Sequence, residues 1–209
     1  MMLDDLYAKI AAGGPLMAPI MVLSVIAWAL ILRKWVLLSF STDPVRLLET
    51  LSPLLKRGEI REASALCARK RGPASRAARF LLDRLAGSGK EGRDGVLREA
   101  ELRELPALSR TLPTVGVLAG AAPLLGLLGT VTGMIGTFEA ITVYGTGNPR
   151  PLAEGISEAL ITTQAGLIVA LPTLLAHNYL ARRAERKRRA ATDVLKRIIL
   201  DMTYRETKK

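Results

Sequence analysis

The sequence predicts an all-α integral membrane protein with three transmembrane helices, and three observations predict it. Windows 10–32, 112–138 and 159–180 are almost free of charge, and each is long enough to cross a hydrocarbon core of about 30 Å as a helix. Mean hydropathy is positive (+0.24) beside a net charge of +11, because nearly all the charge lies between and after those windows. Of the 30 Lys and Arg residues, 28 fall in the two stretches 33–111 and 181–209, the asymmetry that orients membrane proteins. The expected topology is an amino terminus outside, a large basic loop inside, a short outer connection and a basic tail inside.

The same numbers exclude several functions. The basic excess is accounted for by orientation, and with aromatics at 4% there is no aromatic interleaving for nucleic-acid binding. The single cysteine, Cys67, rules out an intramolecular disulfide and a multi-cysteine metal site. It is expected as a small half-buried residue of EASALCARKR.

Residues 1–40 hold the outer amino terminus and the first span. Its flank, MMLDDLYAKI, is acidic-leaning, and the window ends in Arg33-Lys34 rather than at a small-residue cleavage site, so a retained helix is expected. Gly13-Gly14-Pro15 starts it, and Trp35 fits an interfacial anchor. Residues 41–111 read as a cytoplasmic helical loop. Asp43-Pro44 opens a helix with Leu47, Leu48, Leu51, Leu54 and Leu55 at helical spacing, and Lys56-Arg57-Gly58 closes it. Further helices are expected over Glu59–Lys70 and Ala74–Ala86, the latter with Ala78, Leu81, Leu82 and Leu85 on one side. After the turn GSGKEG (87–92) a pattern resumes at Val96, Leu97, Leu102, Leu105 and Leu108 and runs towards the second span, interrupted by Pro106 and Pro113. GSGK is not a Walker A loop, since Arg84 stands where glycine and Glu91 where Ser or Thr would be needed.

The second span, 112–142, is unusual for an apolar helix. Gly116, Gly120, Pro123, Gly126, Thr130, Gly133 and Thr137 recur every three or four residues, a small and partly polar stripe that suits another helix or a narrow polar path rather than lipid. A short periplasmic turn, 143–155, leads to the third span, 156–180, and the helical pattern can continue into the tail, 181–209, through Val194, Leu195, Ile198, Ile199 and Met202.

The chemistry resides in these two spans. Glu158 begins the third apolar window, one turn deeper than Glu154, and an intramembrane carboxylate defaults to function. Thr162 follows it at i+4. With Thr130, Thr163 and Gln164 it could line a narrow wet path between the second and third helices. Glu139 and Glu154 fall at the outer interface, and His177 reads as an interfacial or packed residue without a second metal ligand. No proton relay is complete within the chain, so a titratable group must come from a partner. No Ser/His/Asp or Cys/His arrangement is present, and no enzyme activity, catalytic residue, cofactor or metal is expected.

Two segments, APLLGLLGTVTGMIGTF (122–138) and GISEALITTQAGLIVALPTLL (155–175), resemble the MotA/TolQ/ExbB proton-channel proteins, most closely the ExbB branch. The resemblance implies a homo-pentameric ring in the bacterial inner membrane, its second and third helices lining a central pore and its long helices extending into the cytoplasm. The amino terminus would be periplasmic and the carboxyl terminus cytoplasmic. It also implies an ExbD-like one-span partner whose aspartate carries protons, the coupling ion, and a TonB-like protein driven for outer-membrane import. By motif, the pore threonines fall on Thr130 and Thr163 and the third-helix glutamate on Glu158, with Thr162 and Gln164 adding hydrogen-bond partners. Gly126, Gly129, Gly133 and Thr137 would admit the partner's helix, and the basic loop and tail could meet anionic lipid. Thr132 and Gln164 stand where many relatives have Trp and Ala, which makes this lining more polar. A TolQ-like role in envelope integrity, and a passive scaffold without ion flux, are the alternatives.

Overall fold

The computed structural model describes residues 13–86, 92–145 and 149–207, with side chains to 204. Expectations for Met1–Lys9, for most of the GSGKEG turn, for residues 146–148 of the outer turn and for the last two lysines lie outside the described residues. Every regular element among the described residues is helical: α1 (Met17–Phe40), α2 (Pro44–Arg57), α3 (Ile60–Arg69), α4 (Pro73–Leu85), α5 (Arg93–Glu104), a 3-10 turn (Leu105–Leu108), α6 (Leu112–Tyr144) and α7 (Pro149–Thr207). Three helical stretches are long and apolar enough to cross a membrane, one each in Met17–Arg57, Arg93–Tyr144 and Pro149–Tyr204.

Local chemistry explains most of the boundaries. Asp43 caps α2 by accepting the Val45 N–H at 3.2 Å, with Pro44 in the first turn. Gly58 ends α2 in the left-handed region at φ +84°, its N–H reaching the Leu54 and Leu55 carbonyls. Pro106 sits in the 3-10 turn and does interrupt the approach to the second span. Pro113 does not: it falls in the first turn of α6, where a missing N–H has no partner to lose. Both α6 and α7 run on through an internal proline, Pro123 and Pro172. The third apolar window and the basic tail form one uninterrupted helix of 59 residues.

The chain divides into two compact units. Unit 1 comprises residues up to Leu32 together with Leu112–Asn178. Its centre joins Leu23 of α1, Ala122 of α6 and Ala170 of α7, flanked by Leu118, Ala121, Leu125 and Val169. Two of the three central residues are alanines, which lets helices approach closely. Leu124, Leu127, Val131, Ile135 and Phe138 of α6 and Leu160, Leu167, Ile168 and Leu171 of α7 are exposed, as lipid or neighbouring apolar surface requires.

Unit 2 comprises Arg33–Thr111 and Tyr179–Lys209. Leu47, Leu51 and Leu55 of α2 are buried, as are Ala78, Leu81, Leu82 and Leu85 of α4 and Val194, Leu195, Ile198 and Met202 of α7. The α5 stripe departs from its expected pattern: Leu102 is exposed, and Ala100, with Arg93 two turns before it, is buried. Leu102 and Ala100 lie about 200° apart around a helix, so they cannot share a face. Trp35 stacks on Tyr179 with ring centroids 5.7 Å apart. Lys34, 3% exposed, donates from Nζ to the Ala107 carbonyl at 3.0 Å. Lys187 of α7 donates to the Leu38 and Ser41 carbonyls at 2.7 and 2.9 Å, satisfying acceptors that the end of α1 leaves open.

Candidate functional site

The small stripe of α6 faces α7 of the same chain. Gly126, Gly129, Gly133 and Thr137 are all buried, and their neighbours are successive turns of α7. A Cβ on Gly126 would meet the Thr163 Cα at 3.1 Å and the Thr162 carbonyl at 3.2 Å. One on Gly133 would meet the Ala159 Cβ and the Gly155 carbonyl, both at 2.9 Å. From α7, a Cβ on Gly166 would lie 2.7 Å from the Ala122 carbonyl. The side chain of Thr162 occupies the space beside Gly129, and that of Thr137 the space beside Gly155. Towards the other end, His177 covers Gly116, while Gly120 and Gly136 face open space. The groove expected to admit a partner helix at Gly126, Gly129, Gly133 and Thr137 is therefore filled within the chain, because α7 presents its own small residues, Gly155, Ala159 and Gly166, at matching spacing.

The hydroxyls along this seam are satisfied in two different ways. Thr163 donates across it to the Gly126 carbonyl at 2.9 Å. Thr130, one turn beyond Gly126 and half-buried, donates to the carbonyl of Leu127 in its own helix at 2.6 Å. Thr137 does the same to Gly133 at 2.9 Å. Such back-bonding is the ordinary state of a threonine in an apolar helix. The Thr163 bond differs, since it joins two helices, and it uses a carbonyl that already accepts within α6.

Glu158 belongs to another face, and Thr162, beside Gly129 of α6, stands between that face and the seam. Thr162 is buried, and its hydroxyl lies 2.9 Å from the Gly13 carbonyl and 2.7 Å from that of Glu158. The Glu158 carboxylate lies against Gly14, which has a positive φ of +68°. Gln164 is exposed and lines an open depression of about 610 Å³ with Ala153, Ile156, Ser157, Leu160 and Ile161. Helix geometry imposes this division. Successive residues of α7 turn by about 100°, so Thr162, Thr163 and Gln164 point in three directions. The five residues expected to share one path are split: Thr163 bridges the α6–α7 seam with Thr130 one turn from its acceptor, Thr162 reaches both that seam, beside Gly129, and the lead-in to α1, Glu158 lies against the lead-in, and Gln164 is on the outer side of α7.

Other groups are more ordinary. Glu139 is exposed, and Glu154 pairs with Arg150 at 3.4 Å on the surface. The His177 ring nitrogen Nδ1 lies 3.3 Å from the Asn178 side-chain oxygen. The residue that pattern reading did not single out is Gly14. Its only sequence signal is the Gly-Gly-Pro start, which reads equally well as plain helix initiation.

Residues 73–192 match the model of the MotA/TolQ/ExbB proton channel family. The chain is 32% identical over 171 residues to the biopolymer transport protein ExbB-like 3 of Synechocystis sp., a match covering 80% of each chain. It is 39% identical over 80 residues to the biopolymer transport protein ExbB of Aquifex aeolicus, covering 38% of this chain and 54% of that one. It is 35% identical over 95 residues to the Tol-Pal system protein TolQ of Pseudomonas aeruginosa, covering 46% of this chain and 41% of that one. The matched span takes in the whole α6–α7 seam, and on that extent the chain belongs to the MotA/TolQ/ExbB proton channel family.

Proposed function

We propose that the protein is an inner-membrane proton-channel subunit of the ExbB type, which couples proton flow to mechanical work on a TonB-like protein for outer-membrane import. It works as a homo-oligomer, a pentameric ring, around an ExbD-like one-span partner. The observation that carries this reading is the Thr163–Gly126 bond at 2.9 Å beside half-buried Thr130. It is a polar crossing between two largely apolar spans, in a family of proton channels. Hydroxyls can relay a proton but cannot store one near neutral pH, so the titrating carboxylate comes from the partner. Thr130 and Thr163 line the path, and Glu158, backed by Thr162, tunes its outer end. Gln164, on the far side of α7, meets a neighbouring subunit instead. Protons are the only coupling species, and no catalytic residue or cofactor is involved. The amino terminus lies in the periplasm and the carboxyl terminus in the cytoplasm, in keeping with the lysine and arginine asymmetry; the basic loop and tail lie against anionic lipid heads.

The test is proton flux into liposomes that carry this protein together with its native one-span partner. Thr130→Val together with Thr163→Val keeps both shapes and removes both hydroxyls. The expected result is a loss of flux of about tenfold or more, as for misplaced proton-transfer groups. Unchanged flux in the double variant overturns the lining assignment, and absence of flux in the native complex supports a passive scaffold. A TolQ-like role is favoured by one observation, the 35% identity to a Tol-Pal protein. Deletion separates the two: an ExbB role loses receptor-dependent uptake, and a TolQ role loses envelope integrity.

A further inference from the structure

We infer that the Gly13–Gly14 turn ahead of α1 is a positioning element for Glu158 and Thr162, so that the first span, and not only the second and third, sets the geometry of the polar site. Three contacts, all within unit 1, support it. The Gly13 carbonyl is one of two acceptors within reach of the Thr162 hydroxyl, at 2.9 Å. A Cβ on Gly13 would meet Met17 of α1 itself, with Sδ at 2.8 Å, and then Ile161 Cγ2 of α7 at 3.2 Å. A Cβ on Gly14 would fall inside the Glu158 carboxylate, 2.5 Å from Cδ and 3.1 Å from Cγ. Residues 158, 161 and 162 are one face of α7, and the turn covers it.

Chemistry favours a positioning role over simple helix initiation. A helix start needs no glycine at two successive positions. Gly14 meets two demands at once, a left-handed backbone at φ +68° and the absence of a side chain where Glu158 lies. The Thr162 hydroxyl has one proton and two carbonyl acceptors, Gly13 and Glu158, so the turn competes with α7 itself for that bond. Movement of the α1 lead-in therefore alters both the bond of Thr162 and the space open to the Glu158 carboxylate. The role given to this carboxylate in proton passage is the one proposed above; its placement by the turn is a separate statement.

The structure supplies its own control. Gly145 has the same φ, +68°, and nothing within 4 Å of a Cβ, so Gly145→Ala introduces the same backbone strain without the contact. Two readouts are compared in native membranes carrying the full chain and its partner: labelling of Glu158 by dicyclohexylcarbodiimide, quantified by peptide mass, and proton flux. Gly14→Ala is expected to change the labelling rate of Glu158 and to lower flux, each about tenfold, as a displacement of an ångström or more at a reacting group does. Gly145→Ala is expected to change neither. Adding Glu158→Asp to Gly14→Ala withdraws the carboxylate by one methylene and is expected to restore part of the flux. Thr162→Val, which removes the hydroxyl in a similar shape, is expected to shift labelling in a chain that still folds. Labelling of Glu158 that is unchanged in both Gly14→Ala and Thr162→Val, or equal effects of Gly14→Ala and Gly145→Ala, overturns the inference. A labelling change with native flux upholds the positioning and overturns instead the role of Glu158 in proton passage.

Discussion

At the residue scale, the α6–α7 seam depends on groups too small to hold the helices apart. Gly133 and Gly136 lie within one turn of each other yet face different surroundings: a Cβ on Gly133 would meet α7 at 2.9 Å, whereas one on Gly136 would meet nothing within 4 Å. Gly133→Ala is therefore expected to destabilise by about 1–3 kcal/mol, the usual cost of overpacking against backbone. Gly136→Ala should be neutral or stabilising by up to about 1 kcal/mol through helix propensity. Thermal unfolding of the two variants in one detergent compares them directly. Cys67 gives a second residue-scale prediction. Burial, aided by the Asp83 charge, pushes its thiol up from 9.0 to about 11, against an opposing pull from Arg79. Well below pH 9 the thiol is mostly neutral whether the chain is folded or not, and its ionisation has little effect on stability. As pH rises from 9 towards 11 the unfolded chain ionises first, so stability falls across that window. Iodoacetamide should accordingly modify Cys67 slowly at pH 8 in the folded chain and quickly once it is denatured; fast native modification would contradict its burial.

At the element scale, what could be read from sequence followed from periodicity, and what could not followed from partners distant along the chain. The α4 stripe of Ala78, Leu81, Leu82 and Leu85 was legible because a soluble amphipathic helix has one apolar side, and all four residues are buried. Periodicity is a weaker guide inside a span, where every face is apolar, and there the small residues of α6 marked a close contact without naming its occupant. The occupant is α7, whose Gly155, Ala159 and Gly166 could be noticed only by placing the two helices side by side. The separation of Glu158, and in part of Thr162, from Thr163 was legible in principle from 100° per residue. Their neighbour, the Gly13–Gly14 turn, was not, because 149 residues separate Gly13 from Thr162. Lys187 is a similar long-range case within unit 2, closing the end of α1 through two carbonyls. Lys187→Met should retain the packing of the stem and lose both bonds, lowering stability by about 1–2 kcal/mol, read as a shift in the urea midpoint with unchanged slope. An unchanged midpoint would mean that water caps α1 equally well.

At the scale of the whole molecule, charge and apolar length together determine what the chain can do in a membrane. Helix α7 has 59 residues, about 90 Å at 1.5 Å each, of which a hydrocarbon core takes only about 30 Å. The larger part of the remainder is the basic stretch from Ala181, where Arg182, Arg183, Arg186, Lys187, Arg188 and Arg189 fall within eight residues. Such a density of positive charge resists translocation, so this end of α7 is expected on the cytoplasmic side and the α6–α7 connection on the other. Cys67 makes the test simple, since its thiol is buried and held protonated and the native chain provides its own low background to a membrane-impermeant maleimide. Thr142 and Asp193 are both exposed, on opposite sides of the third apolar window. In intact spheroplasts Thr142→Cys should label from outside and Asp193→Cys only after the membrane is opened. The reverse pattern would place the basic stem outside and overturn the proposed topology.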